Sequence, residues 1–247
     1  MNLFHLRMIH LAFLLLIISL VVYGADYLMF GGAGEIASSF MGNLAFLPIY
    51  VLFVTLMIEK ILKERERLTL LRKLNMVIGV FFSEVGTDLL RNFYDFLKNQ
   101  GDSIARLRVD GSWSRSDFRE ALEFFKKTEI SVDCSKGDLP AIKAFLLGKR
   151  GFLLGLLENQ NLLEHDEFTD LLWAVFHLTE ELDARQRLEG LPQSDLDHLA
   201  GDMRRVFVSL TREWLCYMEH LMNDYPYLYS LAVRTNPMNS AARVEVL

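Results

Sequence analysis

Two uncharged runs near the N-terminus constrain this chain more than any other feature. Residues 8–25 are 18 consecutive positions without a formal charge, dominated by Leu, Ile, Val and Phe. Residues 36–58, between Glu35 and Glu59, are 23 more. A helix rises ~1.5 Å per residue, so ~20 residues cross a hydrocarbon core ~30 Å thick. Both runs meet that length. They predict a transmembrane hairpin over residues 1–61, with helices at about 8–29 and about 40–61. The chain is 51% hydrophobic and 23% charged, and its mean hydropathy of +0.20 follows from gathering apolar residues into these runs. Five Pro and 15 Gly in 247 residues are too few for a disordered or collagen-like chain.

Lys and Arg orient the hairpin. The connecting loop has neither, whereas Lys60, Lys63, Arg65, Arg67, Arg72 and Lys73 follow the second run. The positive-inside rule places the loop outside and both the N-terminus and everything after Lys60 in the cytoplasm, at a plasma or inner membrane. Those six cations are then candidates for contact with the anionic lipid surface. Tyr23 and Tyr27 suit the outer headgroup level, with Asp26 beside them at the interface. The competing reading is a cleaved signal peptide, with Arg7, a short apolar core and Val22-Tyr23-Gly24 as the cleavage site. Its positive region holds one Arg, and the C-terminal part stays cytoplasmic under both readings. Pro48 suits the first turn of a helix beginning near Asn43 and predicts a kink in one beginning at Ile36.

The loop holds a false lead. Gly32-Ala33-Gly34-Glu35-Ile36-Ala37 fits the G-x-G-x-x-G/A dinucleotide pattern. That motif requires a preceding strand inside a βαβ unit, and here the preceding run is too long for a strand. Small residues in an interhelical turn explain it instead.

After Glu59 the periodicity is helical, so the fold class is all-α: a two-helix transmembrane hairpin followed by a cytoplasmic antiparallel helical bundle. Residues 62–98 read as a juxtamembrane helical segment. Within it, residues 74–83 are uncharged and too short to span, so they belong either to a bundle core or to the bilayer interface. Residues 99–116 read as a loop, 117–236 as the bundle and 237–247 as a tail. Capping patterns at Ser114–Asp117, Ser135–Asp138 and Ser194–Asp197 open three of the bundle helices. Residues 129–132 are the one plausible strand. Phe168, Leu171, Leu172, Val175, Leu178 and Leu182 share a helical face, and an apolar stripe steps by threes and fours from Leu196 to Leu221. Pro226 ends that helix, and Tyr225, Tyr227 and Tyr229 mark a short docking segment after it.

Charge is uneven. Residues 1–157 carry 19 Lys and Arg against 16 Asp and Glu, and residues 158–224 carry five against 15. The acidic distal part excludes nucleic acid as its partner, because phosphate contact requires a cationic surface. The partners expected are the lipid bilayer, a second copy of the chain and a cytoplasmic protein.

Catalytic motifs are missing. No P-loop, G-x-S-x-G or H-E-x-x-H is present. His165-Asp166 is similar to the doublet of HD phosphohydrolases, but the cytoplasmic part lacks the upstream His that such a site needs. Cys134 and Cys216 are 82 positions apart and belong to no C-x-x-C, which predicts free thiols. The metal-ligand candidates are Asp170, His177 and Glu181 on one helical stripe and Glu213, Cys216 and His220 on another. Neither stripe has the Glu-x-x-His spacing of di-iron bundles, so no cofactor is predicted. Ser19, Ser38, Ser39, Asn43 and Thr55 are the candidates to line an oligomeric pore, with ordinary helix packing as the competing role. The sequence reads best as a two-pass membrane protein carrying a self-associating interaction or signalling module, with no catalytic activity evident in its motifs. A membrane pore gated by the bundle is the alternative, and a metal-binding bundle the third reading.

Overall fold

A computed structural model describes residues 3–30, 35–98, 106–159, 162, 165–239 and 242–245. The chain is all-helical. In order come α1 (Leu3–Phe30), α2 (Glu35–Phe81), a π-helical turn (Phe82–Gly86), α3 (Thr87–Tyr94), α4 (Arg115–Lys127), α5 (Leu139–Leu157), α6 (Asp166–Ala184), α7 (Gln193–Asp224) and α8 (Pro226–Arg234). Two compact units result, Met1–Thr69 and Leu70–Leu247.

In the first unit two helices are long and apolar enough to cross a membrane. Their apolar side chains point outward: Phe13 is 66% exposed, Leu20 75% and Phe53 67%. The helices meet at small residues. Ser19 is buried and its hydroxyl donates to the Ala45 carbonyl at 2.6 Å, beside a fully buried Ala45. Helix α2 begins at Glu35, which leaves Pro48 inside it. It also runs unbroken to Phe81, through the charged stretch that follows the second apolar run. Mixed-sign i,i+4 neighbours such as Glu59 and Lys63, paired at 2.6 Å, favour helix through that stretch.

The second unit is the bundle. Helix α7 is its axis, with α3, α4, α6 and α8 packed against it and α5 packed against α6. The uncharged segment 74–83 belongs to this core: Leu74, Ile78, Phe81 and Phe82 are buried, while Met76 faces outward. Phe81 packs edge-on against Phe168, with centroids 5.2 Å apart. Phe82 stacks on Tyr217, with planes 10° apart. The expected strand at 129–132 is a single antiparallel bridge between Leu97 and Val132. Lys98 N–H donates to Ser131 O and Asp133 N–H to Phe96 O. Among the described residues no second pairing extends it into a sheet.

The helix starts show which capping patterns work. Ser114 donates its backbone N–H to Asp117 at 2.7 Å and opens α4 as expected. At α5 the cap is Asp138 itself, accepting from Ala141 N–H, while Ser135 bonds back to Asp133. At α7 the predicted Ser194–Asp197 cap is overturned. The helix begins at Gln193, Pro192 O accepts from Asp195 and Leu196, Ser194 is already inside the first turn and Asp197 lies beyond it. Proline suits that position because its fixed φ sets up the helix start. The C-terminal segment clamps a loop: Tyr229 OH donates to Asp110 O at 2.7 Å, and buried Asn236 donates to Val109 O at 3.2 Å.

The π-turn depends on a glycine. A Cβ at Gly86 would lie 2.5 Å from Cδ1 of Phe82, whose ring is buried against Tyr217. Gly86→Ala should therefore lower bundle stability by about 1–3 kcal/mol, the usual cost of overpacking. All three Trp residues (Trp113, Trp173, Trp214) lie in the bundle, so tryptophan emission during denaturant unfolding measures it. Unchanged stability would show that the Phe82 ring is free to move.

Candidate functional site

Helices α6 and α7 form a hairpin joined by residues 185–192, with Gly190 at φ +70° in the turn. That left-handed conformation favours glycine. The hairpin sets the C-terminal half of α6 beside the first turns of α7. Each helix contributes one His and one carboxylate at i,i+4: His177 with Glu181 on α6, His198 with Asp202 on α7. An i,i+4 spacing puts both members of a pair on one face.

The four side chains converge. His177 Nε2 lies 3.8 Å from Glu181 Oε1 and 3.6 Å from Asp202 Oδ2. His198 Nε2 lies 3.6 Å from Glu181 Oε2 and 3.5 Å from Asp202 Oδ2. Asp202 forms the floor at 5% exposed, and both imidazoles are about half exposed at the rim. Within this group Asp202 Oδ2 is buried and has no hydrogen-bond partner. Its other oxygen accepts from Arg205 at 3.1 Å.

Glu181 is held from behind. Arg185 donates to Glu181 Oε2 at 2.7 Å and to the Glu181 backbone carbonyl. The same guanidinium makes a two-pronged contact with Asp195, at 2.7 and 2.9 Å. Hydrogen bonding from Arg185 holds the carboxyls of Glu181 and Asp195 below the usual range. Both are anions at neutral pH.

The sequence candidates are thus regrouped. His177 and Glu181 meet in this cluster; Asp170 is exposed elsewhere on α6 and is outside the group. Glu213, Cys216 and His220 do not gather. His220 Nδ1 is 2.8 Å from Asp224 and 3.2 Å from Asn75, Cys216 is exposed, and Glu213 is buried. His198 and Asp202 were missed, although their His-x-x-x-Asp spacing mirrors His177-x-x-x-Glu181 in the sequence. His165 serves a different purpose: its Nδ1 caps α6 by accepting from Phe168 N–H. Cys134 is buried, which pushes its thiol up to about 11.

The six membrane-surface candidates Lys60, Lys63, Arg65, Arg67, Arg72 and Lys73 are all exposed along α2. Of the pore candidates, Ser19 is spent on Ala45, Asn43 is exposed and Thr55 is half-buried. The side chains of Ser38 and Ser39 lie outside the described residues, as do residues 31–34 of the glycine-rich loop.

Both units match models of one family. Residues 3–62 match the model described as "MJ1433, N-terminal helical domain". Residues 70–234 match "Uncharacterized protein MJ1433, C-terminal helical domain". The chain is 43% identical over 233 residues to a Methanocaldococcus jannaschii protein of that description, covering 94% of each. No solved structure matches the chain.

Glu213 yields a pH prediction. Burial, reinforced by Glu167 and opposed by Arg212, pushes its carboxyl up to about 7. The folded state then holds this proton more tightly than the unfolded chain does. The resulting stability is full below about 4.5 and is lost as the pH rises to about 7. Glu213→Gln removes that dependence. Between acid and pH 8, unfolding free energy of wild type should fall relative to the variant by on the order of 2–3 kcal/mol, read from tryptophan emission. Equal pH slopes would refute the raised carboxyl.

Proposed function

This chain belongs to the MJ1433 family, and we propose that it is a two-pass integral membrane protein whose C-terminal bundle is a cytoplasmic interaction module that self-associates. The outward-facing apolar surface of α1 and the first part of α2 carries this reading. In water each of those large side chains would forgo about 2 kcal/mol of burial, and a contiguous surface of this kind marks a membrane or protein contact. The run length favours lipid, since both helices offer the ~20 apolar residues that a bilayer requires. The row of exposed cations from Lys60 to Lys73 supports a cytoplasmic bundle, with the glycine-rich loop outside. For the interaction role, α8 exposes Tyr227 (71%), Leu228 and Leu231 while Tyr229 anchors it inward. Aromatic side chains at such a surface are favoured contact residues.

Impermeant thiol labelling tests the topology. In a background with Cys134→Ser and Cys216→Ser, Ala33→Cys should label in intact cells, and Glu189→Cys only after permeabilisation. Labelling of Glu189→Cys in intact cells would overturn the orientation. Extraction of the protein by carbonate without detergent would overturn membrane spanning altogether. Native mass in nanodiscs tests self-association: a dimer or higher assembly is expected, and a monomer rejects it.

A further inference from the structure

The geometry points to a divalent transition-metal site, zinc in chemical class, built by His177, Glu181, His198 and Asp202 at the α6–α7 hairpin. Three observations converge on it. The first is donor chemistry. Two imidazole nitrogens and two carboxylates form a mixed N/O set that suits zinc and its neighbours and is poorly matched to magnesium or calcium, which prefer all-oxygen shells.

The second is spacing. Between the proposed ligand atoms, His177 Nε2 lies 3.8 Å from Glu181 Oε1 and 3.6 Å from Asp202 Oδ2, and His198 Nε2 lies 3.5 Å from Asp202 Oδ2. These exceed ordinary hydrogen bonds of ~2.7–3.2 Å. They approach the ~3.4 Å edge of a tetrahedron whose bonds are ~2.0–2.2 Å, whereas an octahedron with such bonds has edges of ~2.9 Å. His177, Glu181 and Asp202 offer ligand atoms all within 4.8 Å of one another, and His198, 3.5 Å from Asp202 Oδ2, would swing inward as the fourth ligand.

The third is the floor of the site. Asp202 Oδ2 is buried, unpartnered and faces both imidazoles. A buried carboxylate oxygen without a hydrogen bond is costly, and a cation satisfies it. The neighbours prepare the ligands accordingly. Arg205 occupies Asp202 Oδ1 and leaves Oδ2 free, and Arg185, fixed by Asp195, occupies Glu181 Oε2 and leaves Oε1 toward His177. Groups that hold ligands in this way typically tune metal affinity. The half-exposed histidines leave the site open to the metal from solvent, and the acidic charge of residues 158–224 attracts cations there. Because the two pairs lie on different helices, a bound ion would cross-link them.

Titration of the full-length, chelator-stripped protein in detergent with zinc alone, then with cobalt(II), tests the site. One zinc per chain is expected, with a rise in Tm that chelator reverses and magnesium does not reproduce. Cobalt should give the intense visible bands of a tetrahedral N/O site. His177→Ala and His198→Ala, both at half-exposed positions that should leave the fold intact, should each weaken zinc at least about 100-fold. His220→Ala should bind as wild type does. Absence of zinc uptake overturns the proposal. So does uptake that survives His177→Ala/His198→Ala, which would place the metal on other surface groups. An equal Tm rise with magnesium overturns the tetrahedral N/O assignment. Circular dichroism of each variant separates loss of a ligand from loss of fold.

Discussion

Helix α7 runs for 32 residues, about 48 Å at 1.5 Å per residue, and no other helix in the bundle touches as many partners. Met203, Val206, Leu210, Trp214 and Leu221 lie on its apolar stripe, and Phe207, Leu215 and Met218 are buried as well. A stripe only as wide as a coiled-coil seam would serve one neighbour. The wider buried surface of α7 accommodates α3, α4, α6 and α8 together. Phe207 shows how: its ring lies 6.3 Å from Phe93 of α3 and 6.2 Å from Phe125 of α4. Tyr217, further along, receives Phe82 from the π-turn.

Packing around that axis explains the bundle's local irregularities. The π-turn at Phe82–Gly86 follows directly on α2 and precedes α3, at the point where two consecutive phenylalanines must both be buried. Phe81 turns to Phe168 and Phe82 to Tyr217, and a wider helical turn lets adjacent residues serve different neighbours. The segment from Asp110 back to Leu107 has little regular structure of its own. Hydrogen bonds from Tyr229 and Asn236 hold it in place, from residues more than a hundred positions away.

The two units solve the problem of apolar surface in opposite ways. In the bundle, apolar side chains face one another, and the polar face of α6 and α7 is left to carry ionisable groups. In the first unit the large apolar side chains face outward, and the small residues Ser19 and Ala45 are turned inward against each other. Inverting the usual arrangement is what a lipid environment rewards, since small and hydroxyl residues there mediate helix contact. The polar cluster at the α6–α7 hairpin, by contrast, belongs to a water-facing rim with one deeply buried member, Asp202.

Period and run length made the helical class legible from the residues alone. The uncharged runs, the apolar faces of α6 and α7, the cap at Ser114 and the stop at Pro226 all follow from interactions within a few residues of each other. The same locality explains what was not visible. The charged stretch from Glu59 to Lys73 reads as helix, but the end of α2 at Phe81 is set by Phe81 and Phe82 docking on α6 and α7. Ser194 and Asp197 have a capping spacing, yet the helix starts at Gln193, where Pro192 sets the backbone and its carbonyl receives the first bonds. Half of the polar site, His177 and Glu181, is visible as one helical stripe. Its completion by His198 and Asp202 depends on a turn through Gly190 that sets two helices side by side. Intrahelical spacing is a property of the sequence, whereas the register between two helices is decided only when their apolar faces pack.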